Sequence, residues 1–187
     1  MNSEIKIVGI AGSLRRGSYN KAALRAAIDL LPDGASLEIL DLADLPFFDE
    51  DLEAAGPVPA VERFKSKLAE ADALLIATPE YNYSLPPALK NALDWASRGQ
   101  QTPLAGKPVA IMSASIGRFG GARVQYHLRQ VCVALKLQAL TSPEVFISEA
   151  HEKFDAEGRL TDERTKNSLK KLLQALVDQT RKIKQYN

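Results

Sequence analysis

Short apolar segments alternate with amphipathic segments along the whole chain. The apolar segments are bounded by turn residues, which is typical of strands buried in a sheet. The amphipathic segments repeat apolar residues every three or four positions, which predicts helices. The predicted strands cover residues 5–11, 36–42, 73–78, 108–113 and 145–148, and the predicted helices cover residues 20–31, 61–71, 86–96, 122–135 and 161–184.

This alternation favours an α/β fold with a parallel sheet that carries helices on both faces. Right-handed crossovers leave few strand orders, and the flavodoxin-like order 2-1-3-4-5 is the natural one for five strands. The chain has 187 residues and contains neither a repeat nor an obvious linker. We therefore expect a single domain over residues 1–187.

Composition excludes several classes of partner. The hydrophobic fraction is 45%, the charged fraction is 25% and the formal net charge is +1. No long-range field should draw such a chain to nucleic acid or to a membrane surface, and no apolar segment is long enough to cross a bilayer. The first apolar segment is also too short for a signal peptide. Together with the single cysteine, these features favour a reduced, cytoplasmic setting.

Cysteine and histidine do not indicate a metal site. Cys132 shares a helical face with Leu128 and Leu135, so we expect it in the core. His127 and His151 are far apart in sequence and lack ligands at metal-binding spacing. No bound metal is expected.

The first predicted strand leads into the segment GSLRRGSYN at residues 12–20, which suits a phosphate. Arginine can hold a phosphate with two parallel hydrogen bonds, and a helix N-terminus adds free N–H groups. Asn20 is also a candidate cap for the following helix. The candidate phosphate ligands are the side chains of Ser13, Arg15, Ser18 and Asn20, with Arg16 as a further cation and Gly12 and Gly17 allowing close approach.

Two nucleotide motifs are absent from this segment. Gly12 and Gly17 have Walker A spacing, but Ser18 and Tyr19 stand where that motif needs Lys and Ser or Thr. The G-x-G-x-x-G dinucleotide motif does not occur either. The alternative is a plain Gly/Ser turn with solvated arginines.

The third predicted strand leads into PEYNYSLPPALKNALDW at residues 79–95, where open α/β sheets bind ligands. Backbone groups from Glu80 to Asn82 could pair with the edge of a flat heterocycle, while Tyr81 or Tyr83 covers one face. Pro79 stiffens the start of this loop. Tyr83 could instead serve only a subunit interface.

The helix after this loop has its own polar residues. Asn91 and Asp94 are one turn apart, so we expect them to tether the loop to the helix. Trp95 is expected to pack rather than to react.

A third loop, SASIGRFGGARVQ at residues 113–125, follows the fourth predicted strand. Ser113, Ser115 and Gly117 can bring backbone donors to a ring edge or a ribityl chain. Gly120 and Gly121 permit positive φ. Taken alone, the segment could equally be a mobile glycine loop. As the third loop at one end of the sheet, it fits a single site.

The segments GSLRRGSYN, PEYNYSLPPALKNALDW and SIGRFGGARVQYHLRQ together resemble the NADPH-dependent FMN reductase family, in particular its bacterial chromate and quinone reductases. The resemblance extends over residues 5–146. It implies a flavodoxin-like fold, bound FMN, and two-electron reduction of quinones, azo dyes, flavins or metal oxyanions by NAD(P)H. It also implies a homodimer or homotetramer.

The resemblance assigns roles by position. It implies a phosphate clamp of Ser13, Arg15, Ser18 and Asn20, an isoalloxazine loop of Pro79, Glu80, Tyr81 and Asn82, and a third wall at Ser115 and Gly117. It further implies a subunit interface that contains Tyr83, Arg123, Tyr126 and Glu144.

Three functions are compatible with these features. The first is an enzyme whose hydride chemistry occurs at N5 of FMN with ping-pong kinetics, so that no catalytic side chain is needed. The second is a flavodoxin-type electron carrier, although such carriers are usually acidic and this chain is nearly neutral. The third is a flavin-free phosphate-binding hydrolase. The sequence fixes neither the choice between NADH and NADPH nor the physiological acceptor, and it leaves open whether chromate reduction is physiological.

Overall fold

A computed structural model describes residues 4–99 and 102–186 of the chain. Within these residues, six parallel strands form one sheet, in which β2-β1-β3-β4-β5 are neighbours in that order and β6 also pairs with β4. The predicted flavodoxin-like order is confirmed. The strands are β1 (Ile5–Ala11), β2 (Ala35–Leu40), β3 (Ala73–Thr78), β4 (Pro108–Ala114), β5 (Gln138–Ala139) and β6 (Val145–Ile147).

The fifth position of the sheet is shared by two short strands. β5 pairs with the start of β4 at Pro108 and Val109, whereas β6 pairs with its end from Met112 to Ala114. The sequence predicts only the second of these. A two-residue strand is too short to show a hydrophobic period, so β5 has no sequence pattern of its own.

The helices cover both faces of the sheet, as predicted. Predicted helix ends differ from the observed ends by at most two residues. The sequence does not predict the short acidic helix α2, because none of its five residues is buried. The helices are α1 (Tyr19–Asp29), α2 (Glu50–Ala54), α3 (Pro59–Glu70), α4 (Pro87–Ala96), α5 (Ala122–Ala134) and α6 (Glu163–Tyr186).

Two apolar clusters hold the layers together. One lies between the sheet and helices α1 and α6, and the other lies between the sheet and helices α3, α4 and α5. Every residue of β3 is buried. Because β1, β3 and β4 are neighbouring parallel strands, their carboxyl ends meet at one edge, where all three candidate loops emerge. Among the described residues, no helix is long and apolar enough to cross a membrane.

Candidate functional site

The first two loops cross directly above the ends of β1 and β3. The Gly12 N–H donates to the Ala77 carbonyl at 2.9 Å. A Cβ at Gly12 would lie 2.8 Å from Pro86 Cγ and 3.1 Å from Thr78 Oγ1. Only glycine fits this crossing without displacing the loop that follows β3.

The first loop ends at a helix N-terminus that is open to a ligand. Ser18 caps α1, because its Oγ accepts from the Lys21 N–H at 3.3 Å. The alternative cap, Asn20, is therefore wrong: Asn20 lies inside the first turn. The N–H groups of Tyr19 and Asn20 in this turn have no acceptor within the helix. Such a terminus attracts an anion.

The side chain of Asn20 joins the first loop to the third. Its Nδ2 donates to the Ala114 carbonyl at 3.0 Å, and its Oδ1 accepts from the Ala114 N–H at 2.9 Å. The side chain is buried. Its amide thus belongs to the fold, and the backbone N–H is what Asn20 can offer to a phosphate.

Arg15 and Ser13 lie at different depths in the first loop. Ser13 is buried, whereas Arg15 and Arg16 are exposed. The Arg15 Nη2 donates to the Gly17 carbonyl at 2.8 Å, and its guanidinium lies 5.8 Å from the centre of the Tyr19 ring. Arg15 is therefore folded back over its own loop, directly beside the start of α1.

The second loop contains a tight turn with unusual backbone angles. Tyr81 and Ser84 exchange backbone hydrogen bonds of 3.1 and 2.9 Å. Between them, Asn82 has φ 47° and Tyr83 has φ 69°. Two successive positive φ angles define a type I′ turn, in which glycine is preferred at the second central position. Asparagine tolerates this region, but tyrosine rarely adopts it.

Glu80 connects the second loop to the start of α5. One carboxylate oxygen accepts from Arg123 Nε at 2.6 Å, and the other accepts from the Val124 N–H at 3.2 Å. The Glu80 side chain is only 8% exposed. Because the N-cap residue of α5 is Gly121, which has no side chain, Glu80 supplies the missing cap from a remote part of the chain. Its carboxylate is thus engaged, and its backbone remains for a ring.

The four candidate interface residues do not form a single cluster within one chain. The Arg123 guanidinium lies 3.7 Å from the centre of the Tyr83 ring and 4.9 Å from that of Phe119. Tyr126 is exposed on α5. Glu144 instead lies 3.7 Å from Arg129.

The third loop is anchored on β4 and β6 by short polar contacts. The Ser115 N–H donates to the Ile147 carbonyl at 3.0 Å, and its Oγ accepts from the Gly117 N–H at 3.1 Å. Ser113 Oγ donates to the Gly120 carbonyl at 2.6 Å and is buried. Ser113 therefore holds the loop through its hydroxyl. The expected backbone donors at Ser115 and Gly117 are already bonded within the chain, so their N–H groups are not free for a ring edge.

The expected positive φ angles at Gly120 and Gly121 are confirmed, at 58° and 85°. A Cβ at Gly121 would lie only 2.7 Å from Ser113 Cβ. These two glycines let the third loop pack closely against β4. The loop is therefore held against the sheet, in contrast to the mobile glycine loop that was the alternative.

One buried residue of this loop, Gln125, has no role in the sequence predictions. Its Nε2 donates to Ser113 Oγ and to the Val145 carbonyl, both at 2.8 Å. It thereby ties α5 to β6 beneath the loop. A polar residue on the buried face of a helix, beside Val124 and Leu128, is the pattern that could have indicated it.

The expected tether of the second loop by Asn91 and Asp94 is wrong. Asn91 binds a different loop, since it donates to the Pro46 carbonyl and accepts from the Phe48 N–H. Asp94 forms an ion pair with Lys90 on the surface of α4. Trp95 packs as expected, with its Nε1 donating to the same Pro46 carbonyl.

Cys132 lies in the core, as predicted. It is 1% exposed, and burial raises the pKa of its thiol to about 11. A nucleophilic role is therefore disfavoured at neutral pH, because the thiolate is the reactive form.

Hydrogen bonds thus bring the three candidate loops together at one edge of the sheet. Asn20 connects the first loop to the third, and Glu80 connects the second to the third. Gly12 bonds the first loop to the end of β3 and packs closely against the second loop. The surface they form is open. A cavity of about 590 Å³ between α1 and α6 includes none of these loops.

The loop surface also presents unused donors and apolar groups. In the part of the chain that the structure describes, the N–H groups of Glu80, Asn82 and Tyr83 have no acceptor. The three loops also carry exposed apolar side chains: Leu14, Tyr81, Ile116 and Phe119. Free donors beside apolar surface suit a flat heterocycle, and the α1 terminus suits its phosphate. Fold and site together define a flavodoxin-like α/β protein for a phosphorylated planar cofactor.

Comparison with known proteins identifies the family. Residues 5–152 match the NADPH-dependent FMN reductase family, to which the chain belongs. It is 53% identical over 184 residues to an NAD(P)H-dependent FMN reductase of Pseudomonas aeruginosa, covering 98% of this chain and all of that protein. It is 39% identical over 187 residues to a quinone reductase of Escherichia coli, covering 98% and 100% of the two chains.

A solved structure agrees in both fold and sequence. The flavoenzyme NAD(P)H:(acceptor) oxidoreductase FerB of Paracoccus denitrificans has a TM-score of 0.87 and 34% identity, covering 95% of this chain and 98% of that one. The protein is accordingly an NAD(P)H-dependent oxidoreductase with FMN as its cofactor.

Proposed function

We propose that this protein, acting as a single domain over residues 1–187, transfers two electrons from NAD(P)H to quinones in a ping-pong sequence. When bound, FMN supplies the hydride chemistry at its N5 atom. The observation that carries the proposal is the junction of three loops at one sheet edge, with free N–H donors on an open surface. An open surface lets nicotinamide and acceptor use the same position in turn.

The first loop is proposed to hold the phosphate. The N–H groups at the start of α1 and the hydroxyls of Ser13 and Ser18 lie in one short segment. Arg15 needs only to exchange its bond to the Gly17 carbonyl for one to the phosphate. Asn20 contributes its backbone N–H and, through Ala114, the position of the loop.

The second and third loops are proposed to hold the ring. Pro79 orients the segment, and the N–H groups of Glu80 and Asn82 face the ring edge. Tyr81 is half exposed and available to a ring face. Ser115 and Gly117, which are hydrogen-bonded to each other, form the third wall.

No side chain is assigned as a catalytic acid or base. Glu80 is paired with Arg123, and Cys132 is buried away from the loops. The residues instead orient the cofactor and leave one face uncovered. Such a face also admits free flavins, azo compounds and metal oxyanions such as chromate, which we include as further proposed acceptors.

Self-association and location are part of the proposal. Tyr83, Arg123 and Tyr126 share the exposed start of α5 and the adjoining turn, and we propose that they and Glu144 join subunits in a homodimer or homotetramer. The single buried thiol suits the reducing cytoplasm.

A flavodoxin-type electron carrier is the competing function. The nearly neutral charge and the cationic Arg15 beside the phosphate position favour the enzyme. Purified protein with stoichiometric FMN, NADPH and benzoquinone separates the two. An enzyme oxidises NADPH over many turnovers, so the absorbance of NADPH falls, whereas a carrier leaves that absorbance unchanged.

Double-reciprocal plots at several quinone concentrations then test the kinetic order. Parallel lines support the ping-pong sequence, and intersecting lines contradict it. Comparing kcat/KM for benzoquinone, free FMN, an azo dye and chromate, with NADH and with NADPH, ranks the acceptors and the donors.

A further inference from the structure

The turn at residues 81–84 has a shape that its own sequence does not favour. Tyr83 occupies the second central position of a type I′ turn with φ 69°, where glycine is preferred. A bulky residue in this region persists only when its surroundings impose the conformation. The two backbone bonds between Tyr81 and Ser84 close the turn, but such bonds do not remove the strain of a positive φ at tyrosine. Something else must hold Tyr83.

Arg123 is placed to do this. Its guanidinium lies 3.7 Å from the centre of the Tyr83 ring, which is within the range of a cation–π contact. Its Nε also binds Glu80 at 2.6 Å, immediately before the turn. One side chain therefore contacts the residue that precedes the turn and the residue under strain within it.

Arg123 is itself held in place. It lies in the first turn of α5, and the Val124 N–H binds the second oxygen of the same Glu80 carboxylate. The Phe119 ring lies 4.9 Å from the guanidinium. On the far side of the turn, His127 Nδ1 lies 3.3 Å from Ser84 Oγ. The start of α5 thus forms a brace along the whole turn.

We propose that Arg123 is a positioning residue for the cofactor: by bracing Tyr83 and Glu80 within its own chain, it keeps the turn at residues 81–84 in the shape that presents the free N–H groups of Glu80 and Asn82 to the ring. The inference rests on the proposed binding of FMN by this loop. It assigns Arg123 an action inside one subunit, separate from any contact it makes with a second copy.

The decisive variants are Arg123→Met and its combination with Tyr83→Gly. Arg123→Met keeps an apolar stem against the two rings but removes the ion pair with Glu80 and the cation. We expect the dissociation constant for FMN, measured by quenching of flavin fluorescence, to rise about tenfold to hundredfold. Glycine adopts positive φ without strain, so adding Tyr83→Gly should recover most of the lost affinity, and the remaining loss reflects the broken contact with Glu80.

A second measurement follows the turn without cofactor or turnover. The N–H groups of Tyr81 and Ser84 close the turn, so their hydrogen exchange in the apoprotein should accelerate in Arg123→Met and slow again in the double variant. Arg123→Lys keeps the charge but not the planar group, and should lie between parent and Arg123→Met. Arg63→Met, at an exposed position on α3, is the matched control and should change neither quantity.

The outcomes are distinct. Parent-like FMN affinity and parent-like exchange in Arg123→Met would overturn the inference, and so would an Arg123→Met defect that Tyr83→Gly does not rescue. An interface defect would show that second pattern, because Tyr83→Gly restores no contact between subunits. If Arg123→Met does not fold, Arg123→Lys with and without Tyr83→Gly decides in the same way. A parent that binds no FMN contradicts the proposed function, while the exchange data still test the brace.

Discussion

Polar side chains at the loop edge differ in whether the fold already uses them. Asn20 and Glu80 bind the backbone of another loop or of its adjoining strand or helix and fix the loops relative to one another, while Ser113 binds the Gly120 carbonyl and holds the third loop on β4. Arg15 holds only the carbonyl of Gly17 within its own loop. Substitutions in the first group should therefore affect stability as well as binding, whereas Arg15 should affect binding alone.

Arg15→Ala should weaken FMN binding about tenfold to hundredfold, because it removes a charge-assisted hydrogen bond worth roughly 1.5–3 kcal/mol. Titration of apoprotein with FMN, followed by flavin fluorescence, measures the change. Affinity for riboflavin, which lacks the phosphate, should be unaffected. Equal FMN affinity in the variant and the parent would show that Arg15 is not part of the phosphate clamp.

Cys132 should be unreactive in the folded protein. Burial raises its thiol pKa from 9.0 to about 11, so the thiolate is scarce at pH 8. Ellman's reagent should label one thiol in guanidinium chloride and almost none without it. Rapid labelling of the native protein would contradict the expected protection of Cys132.

The buried thiol of Cys132 also makes stability depend on pH. Because the folded pKa is the higher one, the stabilising contribution of the neutral thiol is present below pH 9 and is lost as the pH rises toward 11.

Helices and loops act as linked units at the sheet edge. α1 begins at Tyr19 with Ser18 as its N-cap, so Asn20 lies in the first turn of the helix, and its side chain binds Ala114 of β4 instead of capping its own helix. α5 begins at a glycine and takes its cap from the second loop. The third loop fits only because Gly121 has no side chain.

Gly121→Ala should destabilise the apoprotein by roughly 1–3 kcal/mol, because the new Cβ would lie 2.7 Å from Ser113 Cβ at φ 85°. Gly17→Ala is the matched control, because a Cβ added at Gly17 would have no atom beyond its chain neighbours within 4 Å. The loss in free energy of unfolding should stay within about 1 kcal/mol. Urea unfolding of both apoproteins gives the comparison. Similar losses in the two variants would show that close packing of the third loop on β4 is unimportant.

The sequence predicted elements better than contacts. Long strands such as β3 have a continuous apolar pattern, and the order of alternating elements fixed the topology. The three loops could also be placed at one edge, because parallel strands end together. Contacts that depend on which way a side chain turns were missed: Asn91 was expected to tether the second loop and instead holds Pro46 and Phe48. Spacing along a helix shows on which face of the helix a residue lies, but it does not show which group the side chain binds.

At the scale of the whole molecule, the outer face of α5 carries exposed apolar side chains. Tyr126 is 55% exposed and Val133 is 78% exposed, two turns further along the same helix. Tyr83 and Phe119 extend this apolar surface toward the loop edge. Apolar side chains on one helix face are typical of a surface that binds a partner, and this supports the proposed self-association.

Tyr126→Glu should raise the dissociation constant for self-association about tenfold or more, because it places a charge at the centre of this face. Sedimentation velocity over a range of protein concentrations measures the change. Leu52→Glu makes the same kind of substitution at another exposed apolar residue, on α2, and should leave assembly unchanged. A parent protein that stays monomeric at every concentration would contradict the proposed homodimer or homotetramer.

The remote capping of α5 limits how this protein could be re-engineered. Replacing residues 79–84 alone, to alter acceptor preference, with a segment that lacks Glu80 would leave the Arg123 Nε and the Val124 N–H without their shared carboxylate acceptor. Chimeras should therefore carry the turn and the opening of the helix as one cassette, although some 40 residues separate them along the chain.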